Sequence, residues 1–169
     1  LVRSHAVGVG NPIDCRYVLA SMVVRLNTLA KGYSGVSVDL IKHFEKIINL
    51  RILPLIFEHG AVGTSGDLVQ LAHIAQALMG EGEVWYHGKR QFTRDVFEKL
   101  KIKPYVLEAK EGLALINGTS VMSGISALLC IQTNQLISLS VRLGALALEL
   151  IHGFTDSLSE IVHKLRPHL

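Results

Sequence analysis

The most informative segment of this chain is Gly63-Thr64-Ser65-Gly66-Asp67-Leu68-Val69-Gln70-Leu71-Ala72-His73. Together with Gly60 it carries three glycines at three-residue spacing, and a helix is predicted from about residue 67 to 79. Taken alone, these residues are typical of a turn leading into a helix, with Ser65 or Asp67 as the cap. A phosphate-binding loop would have a lysine after its glycines, and the Gly-x-Ser-x-Gly elbow of hydrolases would end in glycine. Asp67 occupies both positions, so nucleotide binding and this type of nucleophile are disfavoured.

Two helices are predicted ahead of this segment. Asn11-Pro12 is a favourable helix start, with Asn11 as the N-cap and Pro12 in the first helical position, and Gly32 would end that helix. Ser37 can cap a second helix, in which apolar residues repeat at helical spacing. The following run, residues 52 to 57, is apolar and contains a proline, so it is expected to be extended.

Beyond the segment, the pattern predicts a hairpin, a short helix and one long helix. The hairpin would cover residues 84 to 92 with its turn at Gly88, and Thr93 would cap a short helix. The long helix is predicted over roughly residues 120 to 152. It is apolar on more than one face, which favours a place at the centre of a bundle. The predicted fold class is therefore mainly α, with one short β-hairpin and a loop-rich segment near Gly63.

Composition narrows the classes of protein. The chain has 169 residues, 49% of them hydrophobic and 18% charged, which suits one domain with a sizeable core and excludes disorder. The most apolar run is interrupted by Arg142 and Glu149, whereas a membrane span needs roughly 18 apolar residues, so no membrane segment is predicted. The net charge is only +3, without a run of Lys or Arg, so no nucleic-acid partner is predicted. The hydrophobic surplus is expected to pack against other subunits or other parts of a longer protein.

Cysteine and histidine placement argues against a metal site. Cys15 and Cys130 form neither a disulfide framework nor a zinc pattern, and free thiols suit a reducing compartment. The histidines apart from His5 show no His-Glu-x-x-His spacing. No metal is therefore predicted, and these histidines are interpreted as ordinary surface or core residues.

The full string from Gly63 to His73 resembles the signature of the aromatic amino acid ammonia-lyases, which act on histidine, phenylalanine or tyrosine. Three further segments are similar to motifs of that family and occur in the same order: residues 3–10 (RSHAVGVG), 29–36 (LAKGYSGV) and 111–119 (EGLALINGT). The similarity runs over essentially the whole chain, to Arg166-Pro167-His168. Four ordered motifs are hard to obtain by chance. The resemblance implies a long-helix bundle of the L-aspartase and ammonia-lyase type.

The resemblance also implies a prosthetic group made from the chain itself. In that family three consecutive residues, here Thr64, Ser65 and Gly66, cyclise into 4-methylidene-imidazol-5-one (MIO). The amide nitrogen of Gly66 would attack the carbonyl carbon of Thr64, which glycine allows because it lacks a Cβ, and Ser65 would lose its hydroxyl as water. Thr64 replaces the usual alanine, but its side chain points off the ring, so cyclisation should survive. Gly63 and Asp67 would support the loop.

Substrate-binding residues follow from the same resemblance. Asn117 matches the asparagine that contacts the prosthetic group and the carboxylate end of the substrate; by itself it would be an Asn-Gly turn before the long helix. Ser4 and His5 fall where the family recognises the substrate side chain, and a Ser-His pair resembles histidine lyases. By itself His5 would be a surface or capped core histidine.

The implied parent activity is removal of ammonia from L-histidine to give trans-urocanate, in histidine degradation, by a cytoplasmic homotetramer acting on a small-molecule substrate. The family's catalytic tyrosine lies upstream of these residues, and other substrate-binding residues lie downstream. Residues 1–169 are therefore expected to be a single partial domain of an enzyme that extends at both ends: a cofactor-bearing region running into the start of the central bundle. Alone this part should be inactive, and its triad need not be cyclised. The alternatives are a tyrosine ammonia-lyase, an MIO-type aminomutase, or a non-catalytic helical assembly module.

Overall fold

The structure is a computed structural model and describes residues 1–62 and 66–167. The chain divides into two compact units, Leu1–Leu128 and Leu129–Leu169. The predicted single partial domain over residues 1–169 stays a prediction. The helices are α1 (Val2–His5), α2 (Cys15–Ala30), α3 (Val38–Asn49), α4 (Leu68–Leu78), α5 (Thr93–Lys99), α6 (Glu111–Ile116), α7 (Ser120–Leu150) and α8 (Glu160–Leu165), with a 3₁₀ turn at Asp156–Leu158. The strands are β1 (Val9–Pro12), β2 (Leu53–Pro54), β3 (Phe57–His59), β4 (Glu83–Tyr86) and β5 (Lys89–Phe92). The predicted mainly α fold class is confirmed.

The predicted start of the first long helix is wrong. Asn11 and Pro12 belong to β1, which pairs antiparallel with β3. Asn11 donates from its backbone and its side chain to Oε1 of Glu58, at 3.1 and 3.0 Å. The helix α2 begins instead after Asp14, whose carboxylate accepts from the amide of Arg16 at 2.8 Å. Asp14 is as good a cap as asparagine, and the contact with Glu58 decides between the two.

The prediction for α3 is confirmed in detail. The hydroxyl of Ser37 accepts from the amide of Leu40 at 3.1 Å and so caps the helix. Its apolar face is buried at Leu40, Phe44 and Ile47, at the helical spacing that the sequence shows.

The predicted hairpin is present but is part of a larger arrangement. Strands β4 and β5 pair antiparallel from Glu83–Phe92 to Tyr86–Lys89, and β2 adds to β4 to make a three-stranded sheet. This sheet and the β1–β3 pair exceed the single hairpin that was predicted. Thr93 is also not a cap: it is the first residue of α5, and its hydroxyl donates to the carbonyl of Gly82 at 3.0 Å.

The core of the first unit is made by α2, α3, α4 and the three-stranded sheet, together with α6 and the start of α7. Seven of the eleven residues of α4 are buried. The start of α7 packs closely on α2, because a Cβ at Gly124 would lie 2.7 Å from the amide nitrogen of Ser21. The first turns of α7 therefore lie directly against the backbone of α2.

In the second unit, α7 continues to Leu150 and is followed by the 3₁₀ turn and α8. The long helix predicted over residues 120 to 152 is confirmed. Most of its apolar side chains beyond residue 128 are exposed. By length and composition alone, α7 could cross a membrane. An exposed apolar helix is also typical of an assembly interface, so the absence of a membrane segment stays a prediction.

Candidate active site around Gly66 and Asn117

The end of the predicted triad lies beside the loop between α6 and α7. Gly66 forms an isolated bridge with Gly118 and has a φ of +73°. A Cβ at position 66 would lie 2.6 Å from the carbonyl oxygen of Gly118, so both the conformation and the space require glycine. Gly63, Thr64 and Ser65 lie outside the described residues. The structure thus brings the triad's third residue next to Asn117, which directly precedes Gly118.

Asp67 adds further contacts between the chain around Gly66 and the loop between α6 and α7. It is 2% exposed, and its amide donates to the carbonyl of Gly118 at 3.0 Å. Its carboxylate oxygen Oδ2 accepts from the amides of Val121 and Met122, at 2.8 and 3.0 Å. Asp67 occupies the N-cap position of α4, but its side chain makes no capping bond there and caps α7 instead. Ser65, the other predicted cap, lies outside the described residues. The first amides of a helix have no partner within it and attract a negative charge.

Asn117 ends α6 and turns the chain towards α7. Its φ of −95° and ψ of 110° are extended, and its amide donates to the carbonyl of Leu113 at 3.0 Å. Its side chain is exposed. The predicted Asn-Gly turn is thus absent, because Asn117 joins the two helices through extended backbone, and this conformation does not exclude a role in binding.

Sequence reasoning missed Arg25. The side chain is 4% exposed, and its Nη2 donates to the carbonyl oxygens of Ala114 and Asn117, the latter at 2.7 Å. Burial lowers the pKa of Arg25, and the negative charge of Asp67 opposes that shift. A signal was available: Arg25 stands at helical spacing among Val18, Met22 and Leu29, on the buried face of α2.

The predicted substrate-recognition pair lies on a different element. Ser4 and His5 are in α1, with Ser4 exposed and His5 half-buried. Their hydrogen bonds are local: the hydroxyl of Ser4 donates to the carbonyl of Leu1 at 2.8 Å, and Nδ1 of His5 lies 2.9 Å from the same oxygen. Helix α1 packs on α4 and α6. Helix α4 begins after Asp67 and α6 ends at Asn117. Helix α1 therefore packs on the same two helices that flank the contact between Gly66 and Gly118.

His73 ties the segment after α1 to α4. Its Nε2 accepts from the amide of Gly8 at 3.2 Å, and its ring packs edge-on against Phe57 at 5.5 Å between centroids. Burial lowers the pKa of His73, which favours the neutral ring that this hydrogen bond requires. No cluster of three or more His, Cys, Asp or Glu that could hold a metal occurs within residues 1–62 and 66–167.

Comparison with known proteins identifies the family. The aromatic amino acid lyase family matches residues 1–169, the whole chain. The chain belongs to this family. A histidine ammonia-lyase of Alkaliphilus metalliredigens is 46% identical over 168 residues, which cover 99% of the chain and 33% of that protein. The chain thus spans about a third of the length of the curated relatives that it matches.

Two solved structures share the fold of this aromatic amino acid lyase chain. The phenylalanine aminomutase of Pantoea agglomerans has a TM-score of 0.94 and 36% identity, covering 100% of the chain and 32% of that protein. The histidine ammonia-lyase of Trypanosoma cruzi has a TM-score of 0.94 and 33% identity, covering 99% of the chain and 33% of that enzyme. The ammonia-lyase type of fold that the sequence predicted is thereby confirmed.

The described part of the triad fits the prosthetic group implied for an aromatic amino acid lyase. Ring closure at position 66 needs a residue without a Cβ, and Gly66 sits where a Cβ would collide with Gly118. The adjoining Asp67 is anchored at both its amide and its carboxylate. The backbone on the carboxyl side of the triad is therefore held in one place.

Proposed function

We propose that the protein carrying this chain is a histidine ammonia-lyase that converts L-histidine to trans-urocanate and ammonia, in histidine degradation. The observation that carries the lyase assignment is the pairing of Gly66 with Gly118, which sets the end of the triad beside Asn117. The choice of histidine is supported by the Ser4-His5 pair and by the 46% identity to a histidine ammonia-lyase.

Each residue of the site then has a role. When formed from Thr64, Ser65 and Gly66, MIO supplies an electrophilic centre that makes the substrate's amino group a leaving group. The side-chain amide of Asn117 orients the carboxylate end of the substrate. Ser4 and His5 hydrogen-bond the imidazole, and the exposed hydroxyl of Ser4 is open to a ligand.

The supporting residues act through the backbone. Gly63 and Asp67 hold the triad loop, Asp67 by way of Gly118 and the first amides of α7. The family's catalytic tyrosine, which takes the β-proton of the substrate, has no counterpart in these 169 residues. We therefore expect the isolated chain to be inactive, and the full protein to be a homotetramer. The two free cysteines suit a cytoplasmic location.

The decisive experiment is an assay of the protein at the full length of its relatives with L-histidine, L-tyrosine and L-phenylalanine. We expect urocanate and ammonia from histidine alone. Changing His5 to Ala should abolish urocanate formation, whereas His87→Asn, at an exposed turn, should leave it unchanged. Turnover of tyrosine in place of histidine would replace the substrate assignment with a tyrosine ammonia-lyase.

A second candidate is an aminomutase of the same cofactor type. The high structural similarity to the phenylalanine aminomutase of Pantoea agglomerans favours it. The same assay separates the two, because an aminomutase returns a β-amino acid and retains the nitrogen instead of releasing ammonia.

The intact mass of the full-length protein tests the prosthetic group itself. Loss of two waters, localised by peptide mapping to Gly63–Asp67, is expected of a lyase or an aminomutase. An unmodified mass together with no turnover would leave a non-catalytic helical assembly module.

A further inference from the structure

We propose that Arg25 is a positioning residue of the active site, which holds the Asn117–Gly118 loop and thereby fixes both Asn117 and Gly66. The catalytic meaning of this role rests on the proposed lyase function. The hold on the loop is a property of the chain and can be measured without a substrate.

Arg25 is a charged residue on the buried face of a helix, which is unusual. It lies on the buried face of α2 between Met22 and Leu29, where an apolar side chain would pack without cost. A buried guanidinium is destabilising unless its donors are used. No carboxylate lies within ion-pair distance of Arg25 among the residues that the structure describes. Its acceptors are two backbone carbonyls instead, both reached by Nη2, while Nε has no hydrogen-bond partner among the described residues.

Those carbonyls belong to the end of α6. In a continuing helix the carbonyl of Ala114 would accept from the amide of residue 118, four positions on. The chain leaves the helix at Asn117, so this carbonyl needs another donor. Arg25 supplies that donor and holds the carbonyl of Asn117 with the same nitrogen. The guanidinium thus allows α6 to stop where it does.

Gly118 transmits this constraint to the triad. A Cβ at position 118 would collide with the guanidinium of Arg25, so the loop can approach only because this residue is glycine. The carbonyl of Gly118 accepts from the amide of Asp67 at 3.0 Å, and Gly118 bridges to Gly66. One side chain therefore sets the direction of Asn117 on one side and the position of Gly66 on the other.

The first test is hydrogen–deuterium exchange on the full-length protein without substrate. Arg25→Met keeps an apolar stem and removes all donors, Arg25→Lys keeps a single charged donor, and Arg16→Met is the control. Arg16 is on the same helix but exposed, and it pairs with Asp14 at 2.8 Å. In Arg25→Met we expect amides of residues 113–122 and of Asp67 to exchange about ten- to a hundredfold faster, with Arg25→Lys intermediate. In Arg16→Met they should be unchanged.

Two results of the exchange experiment would overturn the proposal. One is unchanged exchange in these segments. The other is a uniform acceleration that includes the β4–β5 hairpin, because Arg25 would then support folding in general. If Arg25→Met does not fold, Arg25→Lys carries the same comparison, since one ammonium group cannot reproduce the geometry of a guanidinium.

The second test is a double-mutant cycle on kcat/KM. If Arg25 acts through Asn117, Arg25→Lys should lower kcat/KM only slightly in a protein that already carries Asn117→Ala. For the same reason, Arg25→Lys should have a higher kcat/KM than Arg25→Met only when Asn117 is present. Independent, additive losses would overturn the part of the proposal in which Arg25 acts through the side chain of Asn117. Absence of any lyase or mutase turnover would instead overturn the proposed function, while the exchange data would still decide the hold on the loop.

Discussion

Helix α4 and the far part of α7 have similar apolar sequences and opposite surroundings. In α4 seven of eleven residues are buried, whereas between Leu129 and Leu150 none is. Of the residues that the structure describes, the buried apolar ones lie between Val2 and Val121, in the first unit. Hydrophobic periodicity therefore tells where a helix forms, but burial depends on whether a partner is present in the same 169 residues.

The largest expected contrast between the two units uses a matched pair of phenylalanines. Phe44 is 0% exposed and Phe154 is 87% exposed. Phe44→Ala should lower the free energy of unfolding by about 3–5 kcal/mol, and Phe154→Ala should change it by less than about 0.5 kcal/mol. Chemical denaturation of the chain measures both. Equal effects would mean that the second unit is packed as well as the first.

Asp67 offers the next largest effect. Its carboxylate holds two amides of α7, and removing it leaves one buried and one part-buried donor unpaired. Asp67→Ala should cost about 1.5–3 kcal/mol of unfolding free energy. Asp156→Ala, at an exposed position in the second unit, should be near neutral. A neutral Asp67→Ala in the same denaturation series would show that α7 does not need this distant cap.

Two glycines within α7 sharpen the comparison inside a single helix. A Cβ at Gly124 would meet the backbone of Ser21 at 2.7 Å, whereas a Cβ at Gly144 would have nothing within 4 Å. Gly124→Ala should destabilise the chain by about 1–3 kcal/mol. Gly144→Ala should stabilise it by up to about 1 kcal/mol, because alanine is the better helix former. Thermal unfolding of both variants tests the opposite signs.

The smallest expected effect is a pH dependence confined to the first unit. Burial lowers the pKa of His73 and of His43 from 6.5. The unfolded chain therefore binds these protons more readily, so stability is full above about pH 6.5 and declines as the pH falls below it. His73→Gln keeps an acceptor for Gly8 and should flatten this decline. His163→Gln, exposed in the second unit, should leave the pH profile of unfolding unchanged.

Local sequence signals predicted those parts of the fold that local chemistry decides. Ser37 as a cap, the turn at Gly88 and the span of α7 all depend on residues close in sequence. The prediction of where α2 starts was wrong because Asn11 lies in a strand, where it hydrogen-bonds to Glu58, 47 residues away. Two equally good caps, Asn11 and Asp14, could not be ranked without that contact.

The candidate site divides in the same way. The roles of Thr64, Ser65, Gly66 and Asn117 came from family resemblance, because no period or spacing marks them as reactive. Long-range contacts add what the sequence did not show: the carboxylate of Asp67 reaches Val121 and Arg25 reaches Asn117, over 54 and 92 residues. Such pairs are visible only when the chain is folded.

The long sequence separation between Asp67 and its partners also determines when these contacts can form during synthesis. Its amide partners in α7 lie 54 and 55 residues further along the chain. At roughly 5–20 residues per second, a ribosome needs about 3–11 s to add them. During that interval Gly66 lacks both its bridge to Gly118 and the anchored neighbour that holds it. Any maturation of the Thr64–Gly66 peptide that depends on this geometry is therefore a late step, after the start of α7 has left the ribosome.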